Sequence, residues 1–415
     1  MSNKPKDTSF VFNASLYRAV DLLSESFTEM HLQQTPGINN KTNFSATLPK
    51  QGVGENVALN TLAPFILGQA APLDSAHALA HMDPPTPWIT WATSMFNARL
   101  NQNLLHPATA PFARQAEQIV IDWLSPYFGM QGGHFCAGST IANLTALWAA
   151  RDAKGITKVV ASEAAHISVA KAAKILGLSY QSIAVCANGT INKDALGDLS
   201  SACLVLTAGT TATGAVDDLS IASAANAAWV HVDAAWAGPL RLSHEHAHLL
   251  AGIEAADSVA ISAHKWLFQP KESALVLFKH LEIANVAISV GSDYLVAPNI
   301  GLQGSRGAAA VSLLATILAW GEEGFAQRIN ANMDMANQLA NFVELHSQFI
   351  LWQRPTTGLT IFAHKTMSVD ELLTLLPTGM FSRCQIDNKD YVRSVAANPN
   401  ADIASILDSL RRISI

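Results

Sequence analysis

Trp229-Val230-His231-Val232-Asp233-Ala234-Ala235-Trp236 reads as a short strand that ends on a carboxylate, and Ser258-Val259-Ala260-Ile261-Ser262-Ala263-His264-Lys265 reads as another that leads into an amine. The runs Lys158 to Ala161, Ser182 to Val185, Cys203 to Thr207 and Ala274 to Phe278 have the same character. Segments of helical period lie between several of them, such as Ile167 to Leu176 before Gly177. Alternating strands and helices predict an α/β fold, a mostly parallel sheet covered on both faces, with ligands bound at the carboxyl ends of the strands. Asp233, Thr207 to Thr211 and Ser262 to Lys265 all fall at such ends.

Working outward, residues 1–85 carry few strand signals. Ala14 to Met30 has helical apolar spacing and Thr35 to Lys50 is rich in Gly, Pro and Asn, so a helical N-terminal segment is expected. Residues 86–305 form the expected large α/β domain. After Gly304 a long helical stretch, Ala308 to His346, leads into a small α+β C-terminal domain spanning 306–415.

The 415 residues are 49% hydrophobic and 14% charged, enough for several buried cores. A net charge of −6, with no basic run beyond Lys4-Pro5-Lys6, argues against nucleic acid or an anionic membrane as partner and favours small-molecule chemistry. Cys136, Cys186, Cys203 and Cys384 are scattered without CxxC spacing, which argues against a disulfide framework or a zinc ribbon. The first residues lack an apolar signal core, and the apolar run Ala308 to Trp320 is too short to span a bilayer. A soluble, cytoplasmic protein is expected.

Lysine and aspartate at neighbouring strand ends suit one chemistry in particular. A lysine amine forms a Schiff base with an aldehyde cofactor, and a carboxylate beside a pyridine nitrogen keeps it protonated, so the ring absorbs carbanion electrons. Lys265 and Asp233 are the candidates, and the cofactor they suit is pyridoxal 5′-phosphate. Gly132-Gly133-His134-Phe135-Cys136-Ala137-Gly138-Ser139-Thr140 precedes the helix Ile141 to Lys154, so backbone N–H groups and two hydroxyls would cradle a phosphate there. The same residues are also an ordinary helix cap. His166, opening the next helix, is placed either to stack on a cofactor ring or merely to cap. Thr207-Ala208-Gly209-Thr210-Thr211 supplies hydroxyls and a glycine where backbone must approach a ligand, as a plain turn also would. His77 with His81, and His244, His246 and His248, are spaced for a metal, but no third ligand set is evident and no metal is expected.

In order, Gly138-Ser139-Thr140-Ile141-Ala142-Asn143-Leu144, His166 to Ala173, Gly209-Thr210-Thr211 to Ala215, His231 to Gly238 and Ser262 to Leu267 resemble the group II pyridoxal-phosphate-dependent amino-acid decarboxylases. The resemblance runs from about His77 to Pro399. It implies the aminotransferase-like fold type I and a homodimer with active sites at the interface. It also implies decarboxylation of an L-amino acid to its amine. By position, Lys265 bears the cofactor, Asp233 pairs with the ring nitrogen, His166 stacks on the ring and Ala235 packs beneath it. Ser139, Thr140, Ser262 and His264 contact the phosphate, Thr211 lies near the ring edge, and Gly304-Ser305-Arg306 approaches the phosphate from the partner chain. Arg393, before Asn398-Pro399, is expected in a structural salt bridge. Trp88, Trp91 and Phe96 lie near the implied substrate entrance and serve equally well as core.

Two departures from the family pattern matter. The stretch from Tyr294 to Arg306 is only 13 residues and lacks the family's loop tyrosine, which leaves His166 or Tyr294 as candidate proton donors. Ile141 replaces a usual glutamate. A carbon-carbon or carbon-sulfur lyase, or a decarboxylation-dependent aldehyde synthase, is the alternative on the same scaffold, since the bond held perpendicular to the ring decides which one breaks.

Overall fold

The computed structural model describes residue 9, residues 15–30, residue 44 and residues 46–413; most of the stretch from Thr35 to Lys50 lies outside them. Four helices come first, α1 (Ser15–Met30), α2 (Glu55–Gly68), α3 (Trp88–Leu100) and α4 (Pro111–Leu124). Pro111 opens α4, where no backbone donor is needed, and Ala113, Ala116, Val120, Ile121 and Leu124 form its buried stripe at spacings of three and four.

The large sheet contains β1 (Gly132–Cys136), β2 (Lys158–Ser162), β3 (Ser179–Ile183), β4 (Ala202–Thr207), β5 (Trp229–Asp233), β6 (Ser258–Ser262) and β7 (Ala274–Phe278). Their spatial order is β1-β7-β6-β5-β4-β2-β3. Pairing from β3 through β6 is parallel, and β7 alone runs against its neighbours β6 and β1. The helices α5 (Ser139–Lys154), α6 (Ile167–Ile175), α7 (Ile221–Ala224) and α8 (Leu281–Ile288) fill the connections.

Strand alternation sorts the side chains between two cores. Val159, Ala161, Val205, Trp229 and Val276 pack against α5, α6 and α8, whereas Val160, Leu204, Val232, Ile261 and Leu275 pack against α4 and the long C-terminal helix. Each such aliphatic side chain contributes about 1.5–3 kcal/mol on burial. In β5 the same period of two puts His231 and Asp233 on the face that carries Trp229, toward α5.

A two-residue ladder of β8 (Ser289–Val290) and β9 (Asn299–Ile300) precedes α9 (Ala309–Leu345). Gly321 breaks α9 with φ 61° and ψ −176°, a backbone that only glycine adopts readily. Before and just after the break, Leu313, Phe325 and Ile329 enter the large core; Met335, Leu339 and Val343 enter the small one. The sequence reading counted only Ala308 to Trp320 as apolar. The whole helix is long and apolar enough to cross a bilayer by length and composition alone, although its apolar side chains line both cores.

The small sheet orders β10 (Phe349–Gln353), β11 (Leu359–His364), β13 (Lys389–Val395) and β12 (Ser382–Ile386) side by side, all antiparallel, beside α10 (Val369–Thr374) and α11 (Ile403–Ile413). A strap from the N-terminal side docks on it. Val395 N–H donates to the Leu79 carbonyl at 2.7 Å, and Leu79 and Ala80 N–H donate to the Gly379 carbonyl.

Two strands differ from expectation. β1 was read only as a phosphate cradle, because Gly132-Gly133 gives no apolar run. It nonetheless pairs with β7, and Gly133 is required there, since a Cβ would lie 1.9 Å from the Val276 carbonyl oxygen. β3 begins three residues before the predicted Ser182 because it is an edge strand, whose polar Ser179, Tyr180 and Gln181 escape a search for buried runs.

Candidate active site

The candidate residues converge because the parallel strands all end at one edge of the sheet. Thr207 at the end of β4 pairs with Asp233 at the end of β5, and Ser262 at the end of β6 pairs with Ala274, which also pairs with Cys136 at the end of β1. The turn Ala137-Gly138 into α5 therefore starts two strand spacings, about 10 Å, from Ser262. His166 follows β2 and caps α6, its Nδ1 accepting from the Ser168 backbone N–H at 3.2 Å. The capping and site readings of His166 are thus compatible.

Asp233 is buried and held at both oxygens. Oδ1 accepts from Ala235 N–H at 3.1 Å, which explains the short polar turn after β5, and Oδ2 accepts from Asn143 Nδ2 at 2.8 Å. Asn143 Oδ1 accepts from His231 Nε2 at 3.0 Å, and Asn143 Nδ2 also donates to Ser168 Oγ at 2.9 Å. Ser168 Oγ lies 2.8 Å from His166 Nδ1, while His231 Nδ1 lies 2.9 Å from Ser258 Oγ, itself bonded by Trp229 Nε1 at 2.9 Å. Burial pushes the His231 pKa down to about 4, so this ring is neutral at physiological pH. Burial also lowers the His166 pKa; Asp233 raises it, and Lys265 and Lys171 lower it further.

Lys265 lies in the turn after β6, followed by the buried Trp266, Leu267 and Phe268. Burial lowers its pKa below the usual ammonium value, with the Asp233 charge acting in the opposite direction. A larger share of neutral, nucleophilic amine results. Phe268 closes the turn in the left-handed region, φ 58°, an unusual conformation for a bulky residue and one found where function dictates backbone shape.

Pyridoxal phosphate fits the groups present. Ser262 Oγ and Thr207 Oγ1 are buried with no hydrogen-bond partner, as ligand-binding hydroxyls would be. Gly138, φ 97°, would carry a Cβ into open space, so the N-terminus of α5 is uncovered where Ser139 and Thr140 begin the helix. Ala235 is buried next to Asp233. His264 commits Nδ1 to the Ser273 carbonyl at 3.1 Å, and burial lowers its pKa to about 4.

Other candidates are placed differently. Arg393 forms no salt bridge among the described residues, correcting the expectation: Nε donates to the Thr211 carbonyl at 2.9 Å, and Nη1 to the Ala80 carbonyl and Ser382 Oγ, both at 3.2 Å. The reason is topological, since β13 carries Arg393 under the Thr211 loop and beside the 79–80 strap. Thr211 is exposed and held through its backbone. Ser305 Oγ accepts from Asn103 Nδ2 at 3.1 Å, and Arg306 is clamped by both oxygens of the buried Glu117 in its own chain. Tyr294 is exposed, with its ring 6.4 Å from His106. Trp88 and Phe96 are exposed, which removes the core-packing alternative for these two. His77 Nε2 bonds Ser405 Oγ, and among the described residues no three His, Cys, Asp or Glu side chains form a metal-binding group.

Asn143, Ser168, His231 and Ser258 stand in the sequence only as members of quoted motifs, with no role of their own. A signal existed: Asn143 is a polar, poor helix former between the apolar Ala142 and Leu144 of α5.

The fold and site together define an α/β protein whose buried lysine and carboxylate suit an aldehyde cofactor. Residues 51–365 match the pyridoxal-dependent decarboxylase conserved domain. The L-2,4-diaminobutyrate decarboxylase of Rhizobium meliloti is 30% identical over 353 residues, 76% of this chain and 70% of that one. The aspartate 1-decarboxylase of Aliivibrio fischeri is 28% identical over 374, covering 76% and 68%, and the aromatic-L-amino-acid decarboxylase of Bacillus atrophaeus is 25% identical over 452, covering 96% and 93%. In fold, the chain superposes on Oryza sativa TDC with PLP and tryptamine (TM-score 0.88, 19% identity, 100% of this chain and 98% of that one). The chain belongs to the pyridoxal-dependent decarboxylase family. It has the fold type I architecture and is a pyridoxal-phosphate-dependent amino-acid decarboxylase.

Proposed function

We propose that Lys265 bears the cofactor, Asp233 holds its pyridine nitrogen protonated and His166 covers the ring, with Ala235 beneath it and Thr211 at its edge. Ser139, Thr140, Ser262 and His264 take the phosphate; His264 does so once the phosphate charge has drawn a proton onto Nε2. When bound, pyridoxal phosphate supplies the electron sink for the bond to the departing CO₂. The chain's part is to present a neutral amine, hold the nitrogen's proton at Asp233 and orient the substrate's carboxylate perpendicular to the ring. The observation that carries this reading is the convergence of Lys265, whose charge burial disfavours, with Asp233, held at both oxygens on the next strand.

The substrate is an L-amino acid and the working unit a homodimer with its sites at the interface, where Ser305 serves the second copy's phosphate. Exposed Val57 and Ile66 on α2, Trp88, Phe96 and Leu100 on α3 and Phe112 on α4 support such an interface. The four cysteines are unpaired, which suits the cytoplasm, and the net charge of −6 suits neither nucleic acid nor an anionic membrane as partner.

The test is incubation of holoenzyme with L-aspartate, L-2,4-diaminobutyrate, L-tyrosine and L-tryptophan, following CO₂ and product. Amine with stoichiometric CO₂ from one of these or a wider L-amino-acid panel supports the reading. Aldehyde in place of amine moves the protein to the synthase alternative raised by the short 294–306 segment, and no CO₂ from any amino acid overturns the reading. Light scattering on the eluting protein decides the dimer.

A further inference from the structure

We infer that Asn143 is a positioning residue that sets the hydrogen-bond direction of the whole site, presenting Asp233 as an acceptor and leaving the proton of neutral His166 on Nε2. The inference rests on the reading of Asp233 and His166 given above.

Trp229 Nε1 can only donate and the Asp233 carboxylate accepts at both oxygens, so the chain between them has a fixed sense. With Asn143 Nδ2 on the carboxylate, Asn143 Oδ1 accepts from His231 Nε2, so the neutral ring accepts at Nδ1 from Ser258 Oγ, which itself accepts from Trp229 Nε1. Flipping the Asn143 amide would set its oxygen against the Asp233 carboxylate, so the carboxylate determines the orientation.

One further donor remains on Asn143. It goes to Ser168 Oγ, whose own proton is free to point at His166 Nδ1, 2.8 Å away. The same Nδ1 also accepts from the Ser168 backbone N–H, so a proton there would meet a donor head-on. With Nδ1 occupied as an acceptor, Nε2 is the nitrogen left to donate. Asn143, Ser168, His231, Ser258 and Asp233 are all buried, with at most 4% exposure, so water does not scramble the pattern. A single amide thus couples the group proposed to face the ring nitrogen to the group proposed to cover the ring.

Nitrogen-15 NMR of the histidine-labelled protein without cofactor reads the tautomers directly. His166 is expected with unprotonated Nδ1 and protonated Nε2, and so is His231; a folded wild-type protein with His166 protonated on Nδ1 overturns the inference, whatever any variant does. Asn143→Leu keeps the volume and removes the amide. In it we expect the His166 and His231 nitrogen signals to shift and pyridoxal phosphate to bind at least tenfold more weakly, with an altered absorption band. His231→Gln, which can still donate to Asn143 Oδ1, should restore most of the binding that His231→Leu loses. Asp233→Asn separates the two levels. If it leaves cofactor affinity and absorption unchanged, the reading of Asp233 fails, and the NMR result still decides the tautomer. If it weakens binding while Asn143→Leu moves neither the His166 signals nor the affinity, the inference alone fails.

Discussion

Trp236 and Trp266 meet with ring centroids 4.5 Å apart, joining the turn after Asp233 to the turn that holds Lys265. Each indole also reaches the small domain: Trp236 Nε1 donates to the Thr357 carbonyl at 2.7 Å and Trp266 Nε1 to the Ala396 carbonyl at 3.2 Å. Both rings are fully buried. The pair locks the two arms of the site to each other and to the second core.

Trp266→Phe keeps most of the apolar area and strands the Ala396 carbonyl, at a cost of about 1–3 kcal/mol. Trp266→Ala adds a cavity and should cost about 3–5 kcal/mol. Urea unfolding of the two variants checks the order. A smaller loss for alanine than for phenylalanine would contradict the packing role.

Arg393 is a clamp on carbonyls. Arg393→Met retains the stem, loses the bonds to Thr211 and Ala80, and should destabilise by about 1–3 kcal/mol while weakening cofactor binding. Arg393→Lys should rescue little, because one ammonium cannot span the fork. If Arg393→Met raises KM for the amino acid alone and leaves stability intact, the arginine binds substrate instead.

Lys265→Ala should lower turnover by roughly a thousandfold or more and abolish the cofactor adduct that borohydride fixes on the protein. Peptide mapping of the reduced wild type should find the adduct on Lys265. Its appearance on another lysine would refute the assignment.

Buried Glu117 and half-buried Arg306 form an ion pair under β1, and Glu117 also accepts from Phe135 N–H at 3.4 Å. Glu117→Gln leaves the half-buried guanidinium without its counter-charge and should cost about 1–3 kcal/mol. The melting temperature at fixed cofactor concentration reads it. A shift within error would mean that Arg306 finds another anion.

Acid should destabilise the protein from about pH 6.5 downward. Buried His231 has its pKa lowered from 6.5 to about 4, so between these values the unfolded chain binds a proton that the native state refuses. The His231 contribution, on the order of 3 kcal/mol, is therefore full above pH 6.5, falls as pH drops, and is gone near pH 4. His134, lowered to about 3 by burial and by Arg306, acts in the same direction. Chemical denaturation at pH 7, 6, 5 and 4 measures the slope, which His231→Gln should reduce.

The α/β class, the strands β4 to β7 within a residue of their observed bounds, and the arrival of Thr207, Asp233 and Lys265 at or just past strand ends are legible along the chain. Those features are local: buried strands, turn residues and helical period are written within a dozen neighbouring positions. The rest depends on contacts between segments far apart in the chain. β1 exists because β7, more than a hundred residues later, offers it a ladder; Arg393 turns to carbonyls because the 79–80 strap and the Thr211 loop surround it. The direction of the hydrogen bonds at Asp233 depends on an amide 90 residues upstream on α5. Such partners are chosen by which faces the sheet turns toward one another, and no spacing along the chain records that choice.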